Sequence, residues 1–227
     1  PDFQQDILAL FPFGNIQRPT TMNNSHEKAM FEVPAINWVD ISDHNYGVSM
    51  LSRSKYGFDV HNGIMRMTLL KSPASQEPQS TPDVMADRGK HIIWYSILPH
   101  MEGWRQARVV RAGWEYNVPP TAIRTGRHGG TLPSTCSFIR IQQENVILAA
   151  VKKAEDSDDI VMRLYESWGK NTVTRIELLF QPERAYVADL LEKPQKEIKV
   201  IGKKIHVKIY KHEIITLIVR FRNKNRV

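Results

Sequence analysis

Short apolar runs separated by turn-forming residues dominate this sequence, and their spacing constrains the fold more than any other feature. Clusters of Gly, Pro, Asn and Asp recur at short intervals, and no long stretch repeats its apolar residues every 3.6 positions. This spacing is typical of short strands joined by turns, as found in sandwiches and barrels. The sequence therefore predicts an all-β chain.

The first half of the chain contains three runs with strand-like patterns. They are residues 48–51, residues 63–70 and residues 91–98. The second run follows His61-Asn62-Gly63, and Asn-Gly is a favoured hairpin turn. Residues 73–82 are rich in Pro, Ser, Gln and Glu, which predicts a long exposed loop because Pro cannot sit in a central strand. Residues 104–114 have some helical spacing and are predicted to form a short helix.

A glycine-rich loop over residues 121–134 marks a shift in composition, and we place a domain boundary near it. The resulting domains are residues 1–133 and residues 134–227. Strands in the second domain are predicted at residues 137–151, 160–168, 174–180, 196–210 and 214–221. The acidic stretch 155–159 is predicted to be the turn between the first two of these.

The chain is basic, with 31 Lys and Arg residues against 24 Asp and Glu residues. Much of the excess lies near the end, where residues 199–210 roughly alternate apolar and basic side chains. Alternation of this kind predicts a half-buried strand with a solvated basic face. No recognition-helix, zinc-finger or aromatic RNA-binding pattern is present, so we expect no nucleic-acid partner. No run of about 18 apolar residues occurs, so we expect no membrane partner.

Cys136 is the only cysteine among the 227 residues. It cannot form an internal disulfide, and a thiolate zinc site is excluded. A reducing, cytoplasmic location is therefore expected. The sequence opens on Pro1 without a signal-peptide pattern, and we expect an upstream part of the polypeptide.

No catalytic or metal-binding constellation stands out by spacing. Acid–base catalysis of hydrolysis often uses two carboxylates about 5–10 Å apart. The candidate acids are Asp40, Asp43, Asp59, Asp83 and Asp87, and the sequence singles out no pair. The histidines lack metal-ligand spacing, so no cofactor is predicted within this chain.

Several sequence blocks follow one another in a fixed order. They include Phe31-Glu32-Val33-Pro34-Ala35, Ser54-Lys55-Tyr56-Gly57-Phe58-Asp59, Leu69-Leu70-Lys71-Ser72-Pro73, Ala86-Asp87-Arg88-Gly89-Lys90-His91, Asn145-Val146-Ile147-Leu148-Ala149 and His212-Glu213-Ile214-Ile215. Together these blocks resemble the C-terminal, non-catalytic half of the class II α-mannosidases, family 38 of the glycoside hydrolases.

The resemblance implies a large antiparallel β-sandwich, of the supersandwich or galactose-mutarotase-like type, followed by a smaller β-sandwich. It also implies a retaining α-mannosidase that releases terminal mannose in glycan catabolism. Its upstream α/β barrel would hold a divalent metal, usually zinc, and the nucleophilic aspartate. None of those upstream motifs is found here, so this segment is expected to be inactive alone. The implied partners are the upstream catalytic domain, the α-mannoside substrate and a further copy in a homo-oligomer.

Some loops of the β-region are expected to border the sugar site. We assign carbohydrate-facing roles to Tyr46, Lys55, Tyr56, Lys71 and Asp87. Both tyrosines stand beside glycines at predicted turns, where an exposed ring can stack on a sugar. Lys71 stands where the family commonly has Arg, and Lys provides a point charge instead of a planar fork.

Two other functions compete with this reading. The aromatic-rich first domain fits a free-standing carbohydrate-binding module, whose rings would stack on sugars. The basic C-terminal strands fit a nucleic-acid binder, which would be retained on DNA in a salt-dependent way.

Overall fold

The computed structural model describes residues 6–43, 45–71 and 87–222. The chain divides into two compact units, Pro1–Pro119 (unit 1) and Pro120–Val227 (unit 2). Antiparallel strands supply most of the regular structure in each unit. The predicted all-β class with β-sandwich architecture is therefore confirmed.

In its described residues, unit 1 contains two sheets and two short helices. Its elements are β1 (Asp6–Phe11), β2 (Gly14–Pro19), α1 (Ser25–Ala29), β3 (Val33–Pro34), β4 (Trp38–Ser42), β5 (Tyr46–Ser52), β6 (Gly57–His61), β7 (Ile64–Met67), β8 (Tyr95–Met101) and α2 (Val109–Asn117). One sheet has the order β2-β1-β4-β5-β8 and the other has the order β3-β6-β7.

Strand β4 is the centre of unit 1, because all five of its residues are buried. Val39 and Ile41 point toward the smaller sheet, where they pack with Phe58 and Val60 of β6. The side chain of Trp38 alternates to the opposite face, as the period of two in a strand requires. A strand covered on both faces fixes its register firmly, since a slip by one residue would exchange the two faces.

Helix α2 covers the Trp38 face, and Gly113 is the point of closest approach. A Cβ atom added to Gly113 would lie 2.6 Å from Cδ1 of Trp38. Trp38 is fully buried, and its ring centroid lies 6.0 Å from that of Trp104. The absence of a side chain at Gly113 therefore allows the helix to reach the indole.

Replacing Gly113 by alanine is expected to destabilise unit 1 by up to about 2 kcal/mol. Alanine gains about 1 kcal/mol of helix propensity over glycine, but overpacking a filled core costs about 1–3 kcal/mol. Urea denaturation followed by tryptophan fluorescence measures the change. Gly14→Ala, in the same unit, is the control, because no atom lies within 4 Å of its added Cβ. A stabilised Gly113→Ala protein would contradict the packing argument.

A buried polar cluster lies on the same face of unit 1. The Asp40 carboxylate is 1% exposed and accepts hydrogen bonds from Ser42 Oγ and Ser49 Oγ, both at 2.6 Å. His100 Nε2 lies 2.8 Å from Oδ1 of Asp40, and His100 Nδ1 lies 3.1 Å from the backbone oxygen of Glu102. The cluster joins β4, β5 and β8 through one carboxylate.

Unit 2 is a two-sheet sandwich. Its elements are β9 (Ile139–Ile141), β10 (Val146–Lys153), β11 (Ile160–Glu166), β12 (Thr172–Leu178), β13 (Arg184–Ala188), β14 (Pro194–Ile198), β15 (Val200–Ile201), β16 (Lys204–Ile209) and β17 (Ile214–Arg220). The sheets have the orders β10-β11-β17-β13-β14 and β15-β16-β12-β9. Buried side chains from both sheets, such as Leu164, Leu217, Ile176 and Ile205, share one core.

Glu166 is a fully buried carboxylate at the end of β11. It accepts hydrogen bonds from Asn145 Nδ2 at 2.8 Å, from the backbone N–H groups of residues 168–170 at 2.7, 2.8 and 2.9 Å, and from His212 N–H at 3.1 Å. Burial raises the pKa of this carboxyl group, but the donors, with His212 and Asn145 first, outweigh it. The net pKa therefore lies below the ordinary value of 4.5.

Some predicted strands are confirmed, and others are corrected. The run 91–98 forms a strand only from Tyr95, and the run 63–70 only over Ile64–Met67. Residues 48–51 lie in β5, and residues 214–221 correspond to β17. The run 137–151 is wrong as one strand, because the chain turns at residues 142–145 and passes from β9 in one sheet to β10 in the other. The run 196–210 also divides between the sheets, and Gly202 makes the β15–β16 turn with a φ of 58°.

The remaining local predictions have different outcomes. The hairpin turn at Asn62-Gly63 is confirmed, with φ values of 50° and 72° that suit a two-residue turn. The helix predicted at 104–114 begins only at Val109, because Arg108 has a φ of 57° that no α-helix continues through. The loop predicted at 73–82 lies outside the described residues.

Residues 118–138, between α2 and β9, contain no helix or strand. The border between the two units falls at Pro119 and Pro120. The predicted boundary at residues 133 and 134 lies within this same stretch and stays a prediction. Among the described helices, none has the length and apolar character needed to cross a bilayer.

Candidate functional site

The site of interest is a pocket of about 490 Å³ at one end of the β3-β6-β7 sheet, called here the unit 1 pocket. Its polar lining comes from chain segments that flank these strands. The contributing side chains are Glu32, Lys55, Tyr56, Thr68, Lys71 and Asp87. Backbone hydrogen bonds hold the segments together, from Ala35 N–H to Tyr56 O and from Thr68 N–H to Gly57 O, each at 2.9 Å.

Glu32 is the anchored carboxylate of the unit 1 pocket. Its Oε1 accepts a hydrogen bond from the Thr68 hydroxyl, and its Oε2 lies 3.7 Å from Lys71 Nζ. A Cβ atom on residue 57 would lie only 2.5 Å from Oε1, so Gly57 leaves room for this carboxylate. The arrangement fixes a hydrogen-bond acceptor beside a cation.

Lys55, Tyr56 and Asp87 complete the polar surface of the pocket. Tyr56 is 55% exposed, so its side chain can contact a ligand. Lys55 is positioned by its backbone N–H group, which donates to Ser52 Oγ at 3.0 Å. The backbone oxygen of Asp87 lies 2.8 Å from His91 Nε2, which fixes the turn that presents the Asp87 side chain.

The pocket brings together Lys55, Tyr56, Lys71 and Asp87 of the assigned carbohydrate-facing residues. It does not bring in Tyr46, which begins β5 and is aligned with Met101 of β8. The backbone N–H group of Tyr46 donates to Asp43 Oδ1 at 2.8 Å. The carbohydrate-facing roles themselves stay predictions.

The sequence reasoning missed Glu32, because the search for acids considered only aspartates. The available signal was the Phe31-Glu32-Val33-Pro34 block, which places a carboxylate directly before a short strand. It also missed Thr68, whose hydroxyl orients Glu32. Both residues follow from the pairing of β6 with β3 and β7, which the sequence pattern did not specify.

Cations, a phenol and two carboxylates around an open pocket can exchange hydrogen bonds with a ligand rich in hydroxyl groups. Within the described residues, no group of three or more His, Cys, Asp or Glu side chains is placed to hold a metal ion. The described residues therefore form no site for the divalent metal, which the resemblance places in the upstream part.

Comparison with known proteins assigns each unit to the same family. A family model described as "Glycosyl hydrolases family 38 C-terminal domain" matches residues 5–81, and one described as "Glycosyl hydrolases family 38 C-terminal beta sandwich domain" matches residues 145–217. The chain belongs to glycosyl hydrolase family 38. Its resemblance to the C-terminal region of the class II α-mannosidases is therefore confirmed.

Curated family 38 relatives align with most of this chain. Alpha-mannosidase 2C1 of Homo sapiens is 35% identical over 186 residues, covering 80% of this chain and 17% of the relative. Alpha-mannosidase G of Dictyostelium discoideum is 36% identical over 166 residues, covering 70% of this chain and 14% of the relative. The chain thus spans less than a fifth of the length of these relatives.

Solved family 38 structures share the fold. An alpha-mannosidase from Enterococcus faecalis V583 superposes with a TM-score of 0.78 at 19% identity, covering 97% of this chain and 24% of that one. Most of the unit 1 pocket lies within the matched residues 5–81, from Glu32 to Lys71. Asp87 lies just beyond that match.

Proposed function

We propose that this chain is the non-catalytic C-terminal β-region of an α-mannosidase that hydrolyses terminal α-mannosides during glycan catabolism. The observation that carries the proposal is the 35% identity to a human alpha-mannosidase over 80% of the chain. The family matches in both units support it, because they cover the two halves independently.

The proposal divides the work between two parts of one polypeptide. The upstream part would supply the retaining mechanism, with its nucleophilic aspartate and a divalent metal, zinc in the usual family pattern. The β-region would pack against it and border the sugar site. The lack of a metal-ligand group among the described residues is consistent with this division.

The unit 1 pocket is the proposed border of the sugar site. Lys55, Lys71 and Tyr56 would donate hydrogen bonds to mannoside hydroxyls, and Asp87 would accept them. Glu32 would act as a positioning residue, because it orients Lys71 from 3.7 Å. We also propose a reducing, cytoplasmic location, supported by the single exposed thiol of Cys136.

Activity assays of two forms of the protein test the division of labour. This chain alone is expected to release no product from an aryl α-mannoside, whereas the full-length polypeptide is expected to turn it over. A chelator should abolish the activity of the full-length polypeptide, and zinc should restore it. Metal-dependent turnover by this chain alone would contradict the proposal. Binding of mannose by this chain alone would favour the carbohydrate-binding module.

Replacing Lys71 by methionine in the full-length polypeptide is expected to lower kcat/KM for an aryl α-mannoside by about tenfold or more. A hydrogen bond from a charged group contributes about 1.5–3 kcal/mol, and tenfold corresponds to about 1.4 kcal/mol. Lys71 is 73% exposed, so stability should change little. Lys208→Met, on an exposed site of unit 2, is the matched control. Equal kcat/KM values for both variants would exclude Lys71 from the sugar site.

A further inference from the structure

One end of the unit 2 sandwich opens into an apolar cavity of about 670 Å³. We call it the sandwich opening and define it by its buried base, Met162, Leu178 and Val219, and its rim, Phe138, Val151 and Phe180. The base residues are at most 4% exposed, whereas the rim residues are at least 50% exposed. The core of the sandwich is therefore continuous with an uncovered apolar surface.

Backbone pairing between β9 and β12 positions two side chains of the rim. Ile139 and Leu178 are aligned across β9 and β12, and Leu179 N–H donates to Phe138 O at 3.0 Å. The Phe138 and Phe180 rings are thereby held with their centroids 6.4 Å apart.

A β-bulge in β10 supplies the third member of the rim. The register with β11 shifts between Leu148 and Ala150. Even-numbered residues of β10 face the interior before this shift, and odd-numbered residues face it afterwards. Val151 then lies opposite Met162 and faces the opening. A regular β10 would have directed Val151 away from the core.

Covering an apolar surface of this kind lowers the free energy, because it removes apolar area from water. Contiguous exposed apolar patches on soluble proteins usually mark interaction sites, and burial of aromatic rings contributes strongly to such interfaces. The polar residues of the lining are Gln181 and Arg222, with no acid among them. The occupant must therefore present mainly apolar side chains.

The lengths of the family 38 relatives indicate where the occupant comes from. This chain matches C-terminal domains of the family and only 17% of the human relative, so most of such a polypeptide precedes the matched region. The upstream part is the larger source of apolar segments.

We infer that the sandwich opening of unit 2 seats an apolar segment from the upstream, catalytic part of the same polypeptide, an inference that rests on the proposed function. The segment inserts between the Phe138 and Phe180 rings and contacts Val151 and Met162. Unit 2 is thus joined to the catalytic part through its own core.

Cysteine accessibility tests the inference. In a Cys136→Ser background, Val151→Cys reports on the opening, and Val173→Cys is the matched control. Both valines lie in strands and are exposed, by 50% and 62%, but Val173 does not line the opening. A small maleimide should label both cysteines at similar rates in this chain. In the full-length polypeptide, labelling at position 151 should slow at least tenfold, while labelling at position 173 should be unchanged.

A second set of variants tests the role of the rim. Phe138→Ser combined with Phe180→Ser in the full-length polypeptide should restore fast labelling at position 151. Equal labelling of position 151 in the two forms overturns the inference. Slowing in this chain alone that grows with protein concentration also overturns it, by showing a second copy as the occupant. Slowing that disappears after solvent extraction overturns it in favour of a small apolar molecule.

The mannosidase assay separates the two proposals. The full-length polypeptide could turn over the mannoside while position 151 stays accessible. That result overturns the proposed binding of the segment but keeps the proposed function. Protection of position 151 in a full-length polypeptide without mannosidase activity has the opposite consequence, supporting the seating and refuting the activity.

Discussion

Replacing Glu166 by glutamine should destabilise unit 2 by about 3 kcal/mol or more. A hydrogen bond to a charged group contributes about 1.5–3 kcal/mol to stability. A buried donor left without an acceptor adds a further cost. The amide NH₂ group of glutamine would face backbone N–H groups that now donate hydrogen bonds to the carboxylate. Those N–H groups would lose their acceptor. Chemical denaturation followed by the far-UV signal of the strands measures the effect.

Glu155→Gln is the matched control for the Glu166 variant. Glu155 is also a glutamate of unit 2, but its side chain is 75% exposed and pairs with Lys152 at the surface. Exposed ion pairs contribute about 0–1 kcal/mol, so this variant should unfold almost as the parent does. Similar stabilities for the two variants would show that the buried carboxylate does not stabilise unit 2.

The same carboxylate should make unit 2 sensitive to acid. Because folding lowers the pKa of Glu166 below its ordinary value of 4.5, the unfolded chain takes up its proton first as the pH falls. The contribution to stability is therefore complete above pH 4.5, decreases below it, and is lost as the pH passes the lowered pKa of the folded state. In Glu166→Gln this part of the pH dependence should disappear.

Replacing Asp40 by alanine should destabilise unit 1 by about 3–5 kcal/mol. The change removes the acceptor shared by Ser42, Ser49 and His100. Breaking a buried polar pair by deleting one partner has a cost of about that size, because the other partner stays buried without compensation. Tryptophan fluorescence during urea unfolding reports on this unit through the buried Trp38.

Asp59→Ala is the matched control for the Asp40 variant. Asp59 is an aspartate in a strand of the same unit, and it pairs with Arg66 at 2.7 Å. The Arg66 side chain is 63% exposed, so the pair belongs to the weak surface class. We expect a loss of about 1 kcal/mol or less. An Asp40→Ala protein as stable as Asp59→Ala would mean that the cluster has no net stabilising effect.

The strand pattern could be predicted from the sequence, but the partition of strands between sheets could not. Alternation along residues 199–210 correctly indicates one buried and one basic face, as seen in β16. Alternation does not reveal that β14 and β16 belong to different sheets, because both sheets border the same core. Likewise, Asn145 reads as an ordinary polar residue until Glu166, distant in sequence, is placed beside it.

The sequence predicts only those site residues that lie in blocks resembling the family. Lys55, Lys71 and Asp87 stood in blocks that resemble the family, and the fold places them around one pocket. Tyr46 precedes a glycine, which predicts a turn, and in the structure it begins an inner strand of the larger sheet. The role of Glu32 could not be predicted from the sequence, because its orientation depends on Thr68 and on the space beside Gly57.

The stretch of residues 118–138, which lies between α2 and β9 without helix or strand, has a consequence for how such genes can change. A recombination crossover within its codons would exchange the second sandwich for another without interrupting a hydrogen-bonded ladder or either hydrophobic interior. Shuffling of terminal modules between lineages would then be tolerated at this junction more readily than anywhere inside the two flanking units.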